Sequence, residues 1–286
     1  MKHTIHVEVK DHTIYLGDDY VYGYRRWWNS AVARPLKLTF VRPRSFYDYD
    51  AKVEKMPVIL WLCGGGWTEM DRKVWLPEFT WFAKRGYTIA SIDYSTEPRT
   101  RFPENIQDIK LAIRWLRAHA DEFNLDADRI AVMGESAGGY LAALAGLVTD
   151  DRYDEGEYLG ESSAVQAAIA WYPPVDLMTL IGEIKPLFEA MNLKPPIPLA
   201  PEEYANLLEL AVPGRPPFLI LHGDADISVA ISHGEKLHDA LIASGNEADL
   251  YVIEGAQHAD EHFIQNEVKQ LILDFLNKNL NSKLNQ

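Results

Sequence analysis

A chain of 286 residues with 47% apolar and 24% charged residues has the make-up of a soluble globular protein, large enough for one sizeable α/β domain or two smaller ones. Its formal net charge of −14 disfavours nucleic acid and anionic membrane surfaces, since both repel it. The single cysteine, Cys63, excludes an internal disulfide, and no run approaches the apolar length of a membrane span. The N-terminus lacks the apolar core of a signal peptide, so the cytoplasm is the expected location.

Taken in order, residues 4–10 and 36–42 alternate polar and apolar and predict half-exposed strands. The aromatic and basic stretch from Tyr20 to Trp28 reads as an edge segment packing its rings on the domain, with a carbohydrate or anion site as the rival reading. Residues 44–56 predict a polar hairpin loop. Val58 to Cys63 is continuously apolar, as a strand buried on both faces is, and runs into Gly64-Gly65-Gly66-Trp67. A helix over 74–85 ends at Gly86. A buried strand from Tyr87 to Tyr94 leads into a loop, Ser95 to Pro103. The helix from Ile106 to Ala120 carries Ile106, Ile109, Ile113 and Leu116 on one stripe and Lys110, Arg114 and Arg117 on another.

Arg129 to Met133 is a strand, and Ala137 to Val148 a helix rich in small residues. Gly134-Glu135-Ser136-Ala137-Gly138 lies between them. Strand, G-x-S-x-G, helix is the order of a nucleophile elbow, where glycines free a tight turn of side chains and the helix N-terminus favours negative charge near the serine. An acidic loop over 149–163 precedes a strand from Ala164 to Tyr172. From Asp176 to Arg215, short helical pieces (Leu177–Ile181, Leu187–Met191, Tyr204–Leu210) separated by prolines read as a cap folded over the sheet, too small for a core of its own. The strand from Pro217 to Gly223, a helix from Gly234 to Ala243, the strand from Asp249 to Glu254 and an amphipathic helix from Phe263 to Leu276 complete the chain.

Alternating strands and helices from residue 58 predict a mostly parallel sheet with helices on both faces. Ligand sites in such sheets lie at the carboxyl ends of the strands, where 63–67, 134–138, 223–226 and 255–258 all fall. A serine nucleophile needs a base and a group orienting that base. His258, on a short loop after the last strand, is the candidate base. His222 lies inside a strand; His233, His238 and His262 read as helical, and His3, His6 and His12 as N-terminal strand residues. Asp224 and Asp226 both follow the preceding strand, and spacing does not choose between them. The backbone N–H groups of Ala137, Gly65 and Gly66 are the candidate oxyanion donors. No metal or nucleotide motif is present, so no cofactor is expected.

These pieces resemble the α/β-hydrolase superfamily, and within it the esterase/lipase branch with an H-G-G-G-W oxyanion motif. The likeness covers roughly residues 56–276 and is nearest to the bifunctional feruloyl/acetylxylan esterase group. It is carried by Gly64–Trp67, Arg85-Gly-Tyr87, Phe102-Pro103 with Asp108, Ile113–Arg117, Gly134–Gly139 and Pro217–Asp226. The resemblance implies a single α/β-hydrolase domain over 1–286 with a helical cap insertion at about 176–215. It implies Ser136, His258 and Asp226 as the catalytic triad, since the second aspartate of H-G-D-x-D is the acid in that pattern. Gly65, Gly66 and Ala137 then bind the oxyanion, and Trp67 with the cap shapes the pocket. The implied activity is hydrolysis of short-chain or aromatic esters of acetyl or feruloyl type, with a small-molecule ester, an esterified carbohydrate included, as partner. An arylformamidase or peptidase on the same fold, and a silent hydrolase-fold binding protein, are the alternatives. Two positions depart from the pattern: Cys63 replaces the loop histidine, and Ser95-Thr96 replaces Arg-Leu. Cys63 has no evident base and reads as structural. Oligomeric state is left open.

Overall fold

The computed structural model describes residues 1–8, 13–26, 32–43, 54–195 and 197–280. In chain order the elements are β1 (Ile14–Arg26), β2 (Ala33–Pro43), β3 (Met56–Leu62), α1 (Leu76–Ala83), β4 (Thr88–Ile92), α2 (Glu104–Ala118), β5 (Leu125–Glu135) and α3 (Ala137–Leu147), followed by β6 (Ala167–Trp171), α4 (Leu177–Ala190), α5 (Leu207–Leu210), β7 (Phe218–Gly223), α6 (Ser232–Ala243), β8 (Ala248–Ile253) and α7 (Asn266–Leu280). The strands form one sheet in the order β1-β2-β4-β3-β5-β6-β7-β8. β1 and β2 pair antiparallel, as do β2 and β4, and the remaining pairings are parallel.

Helices cover both faces of this sheet, which is why β3, β4, β6 and β7 are buried at every position. The faces divide by the two-residue period of a strand. In β3, Val58, Leu60 and Leu62 join α2, α3 and α6 in one core, while Ile59 and Trp61 join α1 and α7 in the other. The sheet is therefore an α/β sandwich with the architecture of the α/β-hydrolase fold.

Several local expectations change. Residues 4–8 form no strand; alternation creates a strand only where a partner edge accepts it, and among the described residues pairing begins at Ile14. Residues 9–10, His12, Trp27, Trp28 and most of the 44–56 loop lie outside the described residues. The remainder of the aromatic stretch belongs to edge strand β1, with Tyr22 buried and Tyr24 exposed. Lys110 and Arg114 on α2 are fully buried alongside the apolar stripe. They organise the acidic loop: Lys110 donates to the Asp150 and Arg152 carbonyls, and Arg114 to Asp154 and the Glu155 and Glu157 carbonyls.

In the segment expected to form a cap, the two pieces expected around Pro186 are one helix, α4. The proline forfeits one backbone hydrogen bond, and burial of Leu177, Leu180 and Ile184 keeps the helix continuous. At the C-terminal end, the helix expected from Phe263 is a 3-10 turn over Glu261–Ile264, extended backbone at Gln265, and then α7.

Candidate active site

Ser136 sits between β5 and α3 with φ 55° and ψ −121°, a conformation that side chains rarely adopt. Neighbouring backbone holds it there. The Ser136 N–H donates to the Trp171 carbonyl at 3.0 Å, and the Ser136 carbonyl accepts the Tyr140 N–H at 2.9 Å. The elbow is tight because α3 approaches β3 closely: a Cβ on Gly138 would lie 2.1 Å from the Leu62 oxygen, and one on Gly134 2.3 Å from the Gly138 oxygen. Only glycine fits either position.

β7 and β8 end on the same edge of the sheet. His258, in the loop after β8, places Nε2 2.9 Å from Ser136 Oγ and Nδ1 2.7 Å from Asp226 Oδ2. The Asp226 carboxylate is fully enclosed, and its Oδ1 accepts the N–H groups of Ser228 and Val229 at 2.8 and 2.9 Å. Asp224 takes a different place: its Oδ1 accepts the Gly255 N–H at 2.6 Å, stapling the loop of His258 to the end of β7. Asp260 closes that loop from the other side, accepting the N–H groups of Gln257 and His262, which hold its carboxyl down at about 2. The ring of Tyr172 packs 4.6 Å from that of His258.

The glycine loop after β3 faces the elbow. Gly65, Gly66 and Trp67 have positive φ in succession, and the Gly65 carbonyl accepts the N–H groups of Thr68 and Glu69. Consecutive turns of this kind present N–H groups toward an anion. Among the described residues, the N–H groups of Gly65, Gly66 and Ala137 donate to no protein acceptor. The loop is tied down at Gly64, whose N–H donates to Glu135 Oε1 at 2.7 Å. Cys63 is buried, its carbonyl accepts the Tyr94 hydroxyl, and its Sγ lies 3.8 Å from Glu135 Oε1. Burial, aided by the neighbouring Glu135 charge, pushes the Cys63 thiol up to about 12, which makes it a neutral packing group and a poor nucleophile.

Trp67 differs from its expected place. It is 2% exposed and packs edge-on against Tyr140 and Tyr204, so it supports the glycine loop from beneath and offers little open wall. His222 is buried behind Asp226, its Nε2 on the Val229 carbonyl at 2.9 Å; burial lowers its pKa and keeps the ring neutral. His233 accepts the Val175 N–H and donates to Glu183 of α4, and burial likewise lowers its pKa. At the second departure, Ser95-Thr96, the loop is anchored to α2. The Ser95 N–H donates to Asp108 at 2.8 Å, and the guanidinium on that buried carboxylate comes from Arg25. Glu135 and Tyr172 are the residues that sequence reasoning passed over. The available signal was a charged residue at the buried end of a strand, a place where an acid is rarely left unpaired. Among the described residues no cluster of His, Cys, Asp and Glu is arranged to hold a metal, and no helix is long and apolar enough to cross a membrane.

Esterase LipC of Mycobacterium tuberculosis is 31% identical over 218 residues, covering 73% of this chain and 54% of LipC. The probable carboxylic ester hydrolase LipM of the same organism is 31% identical over 211 residues, covering 71% of this chain and 49% of LipM. The chain thus spans about half the length of these curated relatives. Among solved structures, Thermogutta terrifontis esterase 2 phosphorylated by paraoxon superposes with a TM-score of 0.72 at 26% identity, covering 92% of this chain and 94% of that one. The family model described as BD-FAE matches residues 46–241, well over half of the sequence, and the chain belongs to that family.

Proposed function

We propose that the protein is a serine carboxylic ester hydrolase acting on short-chain or aromatic acyl esters. The observation that carries the reading is the unbroken chain of hydrogen bonds from Ser136 through His258 to Asp226, beside backbone N–H groups with no protein acceptor. Ser136 Oγ attacks the ester carbonyl while His258 Nε2 takes its proton. Asp226 keeps the proton of His258 on Nδ1 and stabilises the imidazolium. The N–H groups of Gly65, Gly66 and Ala137 receive the developing oxyanion. The tetrahedral species then collapses, His258 protonates the departing alcohol, and an acyl-Ser136 remains. Water, deprotonated by His258, repeats the sequence and releases the acid. The first proton moves between Ser136 and His258, which are already in contact, and the chemistry requires no cofactor.

The acetyl and feruloyl preference rests on the sequence resemblance, and the small α/β-hydrolase cap over 176–215 is the part of the chain that would shape the acyl pocket. The test is turnover of p-nitrophenyl acetate by wild type and Ser136→Ala. A loss of at least about 10³-fold is expected; equal rates would end the reading. A panel of acetyl, butyryl, octanoyl and feruloyl esters, with acetylated xylan, formylkynurenine and an aminoacyl anilide, then assigns the acyl and leaving groups.

A further inference from the structure

We infer that Glu135 is the positioning residue of the oxyanion loop; this rests on the reading of Gly65, Gly66 and Ala137 as oxyanion donors. Glu135 is 7% exposed, and among the described residues it faces no lysine or arginine. A buried carboxylate without a cation is costly unless donors satisfy it. The donors here come from three separate parts of the site. Oε1 accepts the Gly64 N–H at 2.7 Å and the Trp75 indole N–H, at the start of α1, at 3.3 Å. Oε2 accepts the Tyr172 hydroxyl at 3.2 Å.

The placement explains why these three are joined. Glu135 immediately precedes Ser136, and Gly64 immediately precedes Gly65 and Gly66. One side chain therefore fixes the separation between the nucleophile and the loop donors. The contact is tight: a Cβ on Gly64 would lie 2.7 Å from the Glu135 carboxylate. Through Tyr172 the same carboxylate reaches the base, because the Tyr172 ring packs on His258. Cys63 supplies no equivalent brace, since its sulfur is 3.8 Å away and a thiol is a weak donor. Oxyanion donors act through preorganisation, so an error in their position is lost in the transition state and hardly felt in substrate binding.

The test compares Glu135→Gln, which keeps an acceptor for Gly64, with Glu135→Met, which keeps the bulk and loses both oxygens. Both are made in the full chain, with thermal unfolding and near-UV circular dichroism confirming the fold. The expected result for Glu135→Met is a fall in kcat of about 10²-fold, a change in KM below about threefold, and a matching loss of affinity for a trifluoromethyl ketone whose oxyanion occupies the hole. Glu135→Gln should stay within about tenfold of wild type on both measures. A Glu135→Met enzyme with wild-type kcat, or with reduced kcat and undiminished trifluoromethyl ketone affinity, overturns the inference. If Glu135→Met does not fold, the Gln variant carries the test: a kcat loss of about 10²-fold with unchanged trifluoromethyl ketone affinity overturns it. The Ser136→Ala control separates the two readings. An active Ser136→Ala removes the esterase mechanism itself, whereas an inactive Ser136→Ala beside a fully active Glu135→Met removes only the role of Glu135.

Discussion

At Gly65 the backbone takes φ 128°, and a Cβ there would stand 1.6 Å from the Glu69 carbonyl oxygen. No rotamer relieves a clash between backbone atoms, so Gly65→Ala must shift the 65–70 turn. The expected outcome is a kcat lower by about 10²-fold or more with little change in KM, because the displaced N–H groups are the proposed oxyanion donors. A variant with normal kcat would remove Gly65 and Gly66 from that role. The motif makes the need for glycine legible but not its cause, which is the oxygen of a residue four positions away. Asp224 and Asp226 illustrate the same limit. Both follow β7, and spacing cannot say which one faces His258; the bond from Asp224 to Gly255 forms only once β7 and β8 lie side by side. Glu135 was hidden for a related reason, since a residue within the elbow motif shows its partners only when the β3 loop is brought against it.

Elements buried on both faces were the easiest to read. β3, β4, β6 and β7 are short, largely apolar runs because helices cover each side, and their turn-forming flanks and β-branched content set them apart from a buried helix. Short pieces around prolines were harder, because burial of one face of α4 overrides the local preference at Pro186. The 176–215 segment is also joined to the glycine loop by a contact with a pH signature. The Glu97 N–H donates to the Trp67 carbonyl at 2.8 Å, while its carboxylate accepts the Leu199 N–H and, at 3.4 Å, the Tyr204 hydroxyl. Burial raises Glu97 above its usual 4.5, partly offset by those two donors and by Arg101. A raised folded value means that the native state holds this proton more tightly than the unfolded chain. Its stabilising contribution is therefore full below about 4.5 and is lost as pH rises through the folded value. Glu97→Gln mimics the protonated form and keeps an acceptor for Leu199. Its Tm should match wild type near pH 4 and exceed it at pH 8, by on the order of 2 °C. An offset that is constant across that range would show that titration of Glu97 plays no part.

At the scale of the whole molecule, Ser136, Asp226 and His258 meet because the parallel strands β5 to β8 end on one edge of the sheet. That the strands run parallel was legible from their alternation with helices; the order β1-β2-β4-β3-β5-β6-β7-β8 was not, since it depends on which crossovers pass which neighbours. The same edge gathers charge. The formal charge of −14 is spread over the whole chain, but Asp224, Glu254 and Asp260 stand within a few residues of Asp226 and His258. An ester carrying its own negative charge approaches against this field, whereas a neutral ester does not feel it. Salt shortens the reach of the field, the Debye length falling from about 20 Å at 20 mM to about 4 Å at 500 mM. Over that range, kcat/KM for an acetyl ester bearing a free carboxylate should rise by about threefold or more, while that for p-nitrophenyl acetate stays nearly level. Measuring both substrates in parallel cancels any general effect of salt on the enzyme. Equal salt slopes would mean that local cations neutralise the edge of the sheet where substrate enters, and that net charge does not select among esters.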